Sequence, residues 1–173
     1  MNYVTIQGTP SGRHLSGDIV MNKTKDSDTV AKWETAPQHY PLLVEELLKQ
    51  QILREFKGAA NKIAEICTVL EYPAGSTIYS AGDTSRYISL ILSGRISIVI
   101  NNKEVAQRAA GQHFGEMALI DPAPRSATIV AVEDTMIANV SEPDFTELAD
   151  HLPKLWRYLA LELAEIIRLQ NSR

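Results

Sequence analysis

The chain has 173 residues, 45% hydrophobic and 22% charged, with nine glycines and eight prolines, which excludes a disordered, collagen-like or low-complexity chain and suits one domain with an appendage. Seventeen basic against twenty-one acidic side chains give a net charge of −4, the wrong sign for a free-standing nucleic-acid binder. One cysteine, Cys67, rules out an intrachain disulfide and a Cys-rich zinc site.

In chain order, residues 1–40 are polar and mixed and read as an arm or a small hairpin. Met1–Gln7 alternates briefly, Gly8, Pro10, Gly12 and Gly17 punctuate it, Ile19-Val20-Met21 reads as a short strand, and Lys23–Asp28 reads as a charged turn. Arg13, His14 and Asp18 break any apolar leader. No apolar run approaches the roughly 18 residues of a membrane span, so the reading is a soluble cytoplasmic protein.

Residues 41–67 read as a helical lead-in. Pro41 suits a first helical turn. Leu42, Leu43, Leu47, Leu48, Ile52, Leu53 and Phe56 follow a 3.6-residue period, with Gly58 as the stop and a second short helix through Ile63, Ile66 and Val69.

From Thr68 the period changes to two. The predicted strands are Thr68–Tyr72, Ser76–Tyr79, Tyr87–Leu92, Arg95–Ile100, Lys103–Arg108, Thr128–Val132 and Thr135–Val140, separated by Gly-, Pro- and Asn-containing turns. Short strands at such spacing indicate a mainly β chain with flanking helices, an antiparallel jelly roll. After Val140 the pattern returns to helix. Ser141 with Asp144 reads as a capping box. Pro153 opens a last helix with Leu155, Trp156, Leu159, Leu163, Ile166 and Ile167 on one face, running to about Gln170.

One stretch, Phe114 to Thr128, is neither strand nor ordinary loop. A helix-like turn over Glu116–Ile120 leads into the corner Asp121-Pro122-Ala123-Pro124, then Arg125-Ser126-Ala127. Gly115 allows close backbone approach by a ligand. The start of a short helix offers free N–H groups to an anion, and the planar fork of Arg125 suits a phosphate.

This stretch resembles the phosphate-binding cassette of cyclic nucleotide-binding domains. The resemblance rests on Phe114-Gly115-Glu116, Met117-Ala118-Leu119 and Arg125-Ser126-Ala127. Tyr72-Pro73-Ala74-Gly75, Ala81-Gly82-Asp83 and Leu92-Ser93-Gly94 match the family's turns, and the likeness runs from Ile66 to Gln170. Pro122 and Ala123 depart from it, since glycines often stand there. The resemblance implies a double-stranded β-helix over residues 68–173. It implies that Arg125 pairs with the cyclic phosphate and that Glu116 accepts from the ribose 2′-hydroxyl. It implies that backbone N–H groups near Gly115, Ala118 and Leu119 complete a cradle, with Ser126 touching phosphate, base or both. Ser126 favours cAMP over cGMP. The last helix is implied to be a lid over the base, with Trp156, Leu159, Leu163 and Ile167 as candidate base or seam residues and Arg168 as a candidate stacking cap. Nucleotide would stabilise one position of that helix, and a partner would read it.

Only Asn171-Ser172-Arg173 follow Gln170, so the expectation is a stand-alone sensor with no DNA-reading module, acting in trans on a protein partner, with the last helix also able to pair two copies. The alternative is a scaffold on the same fold with a degenerate pocket. An enzyme is not expected: His14, His39, His113 and His151 are scattered, no His-x-His or Gly-x-Ser-x-Gly occurs, and no metal or cofactor is implied.

Overall fold

A computed structural model describes residues 21–27, 30–35, 40–54 and 56–171. The alternation in Met1–Gln7, the start of the Ile19-Val20-Met21 strand, and His14 and His39 lie outside them. Among the described residues, ten strands form two antiparallel sheets. The larger contains β1 (Met21–Ser27), β2 (Val30–Thr35), β3 (Thr68–Tyr72), β10 (Thr135–Ser141), β5 (Tyr87–Ser93) and β8 (His113–Phe114), in that spatial order. The smaller runs β4 (Thr77–Tyr79), β9 (Thr128–Ala131), β6 (Arg95–Ile100), β7 (Lys103–Ala109). Helices α1 (Tyr40–Leu47), α2 (Lys57–Ile66), α4 (Glu142–Asp150) and α5 (Pro153–Asn171) flank them, and α3 (Met117–Ile120) sits in the loop between β8 and β9. This is the mainly β jelly roll with flanking helices that the sequence predicts.

β5 and β10, within the larger sheet, are buried on both faces, which is why they read as continuous apolar runs. Ile88, Leu90, Leu92, Met136, Ala138 and Val140 turn to the helices, packing with Leu43, Leu47, Ile63, Phe145, Leu155 and Leu159. The alternate positions, Ile91 and Ile137, turn to the smaller sheet and meet Tyr79, Ile96, Phe114 and Ile129. Register holds the two sets apart: Ala138 faces Leu90 and Val69, and Ile137 faces Ile91 and Leu70. A one-residue slip would exchange the sets. Full burial of one such side chain contributes roughly 1.5–3 kcal/mol.

Two turns set the roll's corners. Asn101 and Asn102, at φ 50° and 60°, make the two-residue β6–β7 hairpin that left-handed residues favour. Gly94, at φ +87°, passes so close to β10 that a Cβ there would lie 2.5 Å from the Asp134 carbonyl.

The helical lead-in departs from expectation. Gly58 does not stop a helix; it lies in the first turn of α2. The break falls earlier, around a 3₁₀ turn at Gln51–Leu53. There Gln50 Nε2 donates to the Ile91 carbonyl at 2.8 Å and Gln51 N donates to the Gly111 carbonyl at 2.8 Å. These bonds to the roll replace helical ones. Val69 belongs to β3, not to the second helix. Lys23–Ser27, read as a turn, lies in β1; β1 pairs with β2, and β2 pairs with β3, extending the sheet. The N-cap half of the expected capping box is present: Asp144 N donates to Ser141 Oγ at 3.3 Å, while the Asp144 carboxylate accepts from the Ser141 hydroxyl.

Candidate functional site

The cassette is held open between the two sheets. β8 ends at Phe114, whose ring meets Tyr79 edge-on at 5.8 Å. Gly115 follows at φ +85°, a left-handed turn that brings α3 in at once. Ala118 N then donates to the Gly115 carbonyl and Leu119 N to the Glu116 carbonyl, each at 3.1 Å. Those two N–H groups therefore close the turn rather than forming a free cradle. Leu119 does not face the cavity; it is buried in the helix-side core.

The chain returns through the Pro-rich corner, and Arg125 is clamped by its own backbone. Gly82 N donates to the Arg125 carbonyl and Arg125 N donates to the Asp83 carbonyl, both at 2.8 Å. Ala81 N donates to Thr128 Oγ1 at 3.1 Å. The Ala81-Gly82-Asp83 turn thus positions the arginine, a role its sequence distance conceals.

The guanidinium folds inward. Nη1 donates to the Gly115 carbonyl at 3.2 Å, Nη2 to the Tyr87 carbonyl at 2.9 Å, and Cζ lies 4.2 Å over the Tyr79 ring. Its Nε is buried without a protein partner. Burial pulls the Arg125 pKa below its ordinary value, while Tyr79, Glu116 and Asp83 push it back up; the group stays a cation. Among the described residues no ion pair joins Glu116 to Arg125, so the two are not a loop-closing surface pair.

Beneath them lies a buried polar knot. Tyr79 Oη bonds Ser89 Oγ at 2.8 Å and Asn139 Oδ1 at 3.2 Å, and Ser89 Oγ donates to Asn139 Oδ1 at 2.6 Å. Ser89 and Asn139 are Cα partners across β5 and β10, so the knot is built into the register. Burial is the main cause that raises the Tyr79 phenol pKa.

A cavity of about 180 Å³ sits over this floor. Phe114, Gly115, Glu116, Met117, Ala118, Arg125, Ser126 and Ala127 line it, together with Tyr79, Ile98, Arg108, His113 and Ile129. Of the cassette residues the sequence nominated between Phe114 and Ala127, Leu119 alone is not in its wall. Arg108, His113 and Glu116 also form one side of a second groove, shared with Glu162 and Glu165 of α5. His113 Nε2 lies 3.0 Å from Glu162 Oε2, within ion-pair range but off the line of a hydrogen bond.

The expected lid contacts are not made here. Leu155 and Leu159 point into the helix-side core, and Trp156 meets Phe145 edge-on at 5.9 Å. None of Trp156, Leu159 or Leu163 lines the cavity. Leu155 and Leu159 are fully buried against the roll, and this packing fixes that face of α5. The side chain of Ile167 lies outside the described residues, and Arg168 is exposed. Among the described residues, no three His, Cys, Asp or Glu gather as a metal site, and no helix is long and apolar enough to cross a membrane.

The cavity can therefore hold a compact anion beside Arg125, a hydroxyl-bearing group at Glu116, and a flat apolar group against Ile98 and Ile129. Residues 69–151 match the family model described as "Cyclic nucleotide-binding domain". The chain is 34% identical over 130 residues to a Pycsar effector protein of Xanthomonas perforans, covering 75% of this chain and 43% of that protein. It is also 34% identical over 120 residues to the cAMP-dependent protein kinase regulatory subunit of Aspergillus niger, covering 68% and 29%. Its fold superposes on the solved Thermus thermophilus catabolite activator protein with a TM-score of 0.59 at 27% identity, covering 79% and 57%. The chain thus spans less than half the length of the curated relatives it matches.

Proposed function

We propose, since residues 69–151 belong to the cyclic nucleotide-binding domain family, that the cavity is a cyclic nucleotide sensor site whose occupancy is relayed through the helices to a partner. The observation that carries this reading is the convergence of Arg125 and Glu116, nine residues apart, on one cavity beside Gly115. Arg125 takes the cyclic phosphate, with its unpartnered Nε as a further donor. Glu116 accepts from the ribose 2′-hydroxyl. The site holds its ligand and does not transform it.

The relay has a physical route. Leu119 of α3 is packed among the helices. Arg86 Nε donates to the Ala118 carbonyl at 3.2 Å, and its Nη1 lies 3.7 Å from Glu142 Oε2 at the start of α4. Glu162 ties α5 to His113 beside the cassette. A ligand that shifts α3 therefore acts on α4 and α5 together, and a partner protein or a second copy reading α5 receives the change. Ser126 is the sequence's argument for cAMP. It is exposed next to Arg125, on the phosphate side, so it does not by itself fix the base.

The test is calorimetric titration with cAMP, cGMP and AMP. One-to-one binding of a cyclic nucleotide, with AMP weak, is expected. Arg125→Ala removes hydrogen bonds to a charged group worth about 1.5–3 kcal/mol each, so affinity falls at least about tenfold. Failure of every cyclic nucleotide to bind overturns the reading.

A further inference from the structure

Strand β7 carries an arginine on the wrong face for solvent. Along it Val105, Gln107 and Ala109 are exposed, while Ala106 and Arg108 are half-buried. The register agrees: Arg108 is the partner of Ile96, which is fully buried, and Ala106 is the partner of Ile98. Directly paired residues share a face, so Arg108 stands on the apolar inner face of the smaller sheet. A cation is placed there at a cost unless something pairs with it.

The protein supplies little. Nη1 donates to the adjacent Gln107 carbonyl at 3.3 Å. Among the described residues no carboxylate comes within 4.0 Å of it, although Glu116, Glu162 and Glu165 line the same groove. Arg108 also lines the cassette cavity with Ile98 and Ile129, the wall left over once Arg125 and Glu116 have taken phosphate and ribose. A base that fills this wall has its flat faces against isoleucine and an edge toward a guanidinium.

We propose that Arg108 reads the base, selecting one that presents an oxo group over its amino counterpart. The inference rests on the nucleotide reading above and takes precedence over Ser126 in naming the base. Guanidinium is donor-only. It pairs with acceptor edges, as arginine does with the O6 and N7 of guanine. An amino group on that edge sets donor against donor and forfeits the bond, a mismatch that a site built to hydrogen-bond an oxygen disfavours.

The experiment uses the whole chain and two matched pairs of 3′,5′-cyclic nucleotides. Hypoxanthine and adenine (cIMP, cAMP) differ by oxo against amino at position 6; uracil and cytosine (cUMP, cCMP) differ likewise at position 4. The expected result is at least about tenfold tighter binding of the oxo member in one pair or both. Arg108→Leu, which suits the apolar face, brings the pairs to within twofold, and Arg108→Gln, which can donate and accept, does the same if the leucine variant does not fold. Equal or tighter binding of the amino member in both pairs overturns the proposal, as does an oxo preference that survives both substitutions. Those outcomes leave the nucleotide reading standing. Absence of binding by all four ligands and by cGMP overturns both.

Discussion

Gly115→Ala tests the cassette at its tightest point. Gly115 sits at φ +85°, and a Cβ there would lie 2.8 Å from Arg125 Nη1 and 2.8 Å from the Tyr87 carbonyl oxygen. Alanine in this left-handed region costs about 1–2 kcal/mol from backbone sterics alone. The two contacts add to that unequally. The guanidinium is the end of a flexible chain and can swing away, losing its bonds to the Gly115 and Tyr87 carbonyls. The Tyr87 carbonyl cannot, because Tyr87 is paired to Ser141 at the start of β5. The loss of even one of these bonds to a charged group, worth about 1.5–3 kcal/mol, brings the expected destabilisation to about 2.5–5 kcal/mol. With a urea dependence of about 1–3 kcal/mol per molar, the unfolding midpoint falls by at least about 1 M. Nucleotide affinity falls with it, since Arg125 is displaced from the position the cavity wall defines. Urea unfolding followed by circular dichroism, with calorimetric titration of the same protein, reads both quantities. A midpoint within about 0.3 M of the parent, with unchanged affinity, would refute the reasoning that close approach and left-handed geometry demand glycine here.

Three further expectations follow from the same geometry. Tyr79→Phe removes the hydroxyl that bonds Ser89 and Asn139 and lowers stability by about 1–2 kcal/mol, yet leaves the ring under Arg125 and the affinity within about twofold; Tyr79→Leu loses the ring and about 0.5–2 kcal/mol of cation–π attraction. Equal affinity losses in the two variants would show that the ring face does not matter. Glu116→Ala abolishes the preference for a ribo- over a 2′-deoxy cyclic nucleotide, read by competition titration; a preference that persists removes Glu116 from the ribose. Finally, burial pushes the Cys67 thiol up to about 12 and the Tyr72 phenol up to about 12. Both groups hold their protons in the folded state while the unfolded chain releases them, so stability is fully present below about pH 9 and declines from there toward pH 12, by up to about 1.4 kcal/mol per pH unit for Cys67. Urea midpoints at pH 8, 9 and 10 should fall more steeply for the parent than for Cys67→Ala, and parallel curves would contradict the assignment.

The strand layout was legible because period-two runs bounded by turn residues survive whether one or both faces are buried. All seven anticipated strands agree with the structure at both ends to within one residue, and Thr68–Tyr72 and Arg95–Ile100 coincide. The cassette was legible as a contiguous run of unusual chemistry. What escaped depends on contacts between distant segments. The break after α1 is made by Gln50 and Gln51 bonding to the roll, and nothing local marks it. β8 is two residues long, too short for any period. In β7, hydropathy points Val105 inward and Arg108 outward; the irregularity between Ile98 and Val99 of β6 shifts the register and reverses both. Tyr79 reads as one more core aromatic until its ring is found beneath Arg125.

The inward fold of Arg125 has a consequence for how the protein responds to concentration. With its cation already seated on the carbonyls of Tyr87 and Gly115, an arriving anion exchanges partners rather than filling an empty receptor. Half-saturation is then governed by the difference between two sets of oxygen contacts, not by the full strength of either. A small anion that reaches the guanidinium alone gives back the bonds to the two carbonyls it displaces and gains no other contact in the cavity. A ligand that also engages Glu116 and the inner wall gains enough to tip the exchange. The inward seat of Arg125 thus sets a threshold that a ligand engaging the whole cavity passes more readily than one touching the guanidinium alone.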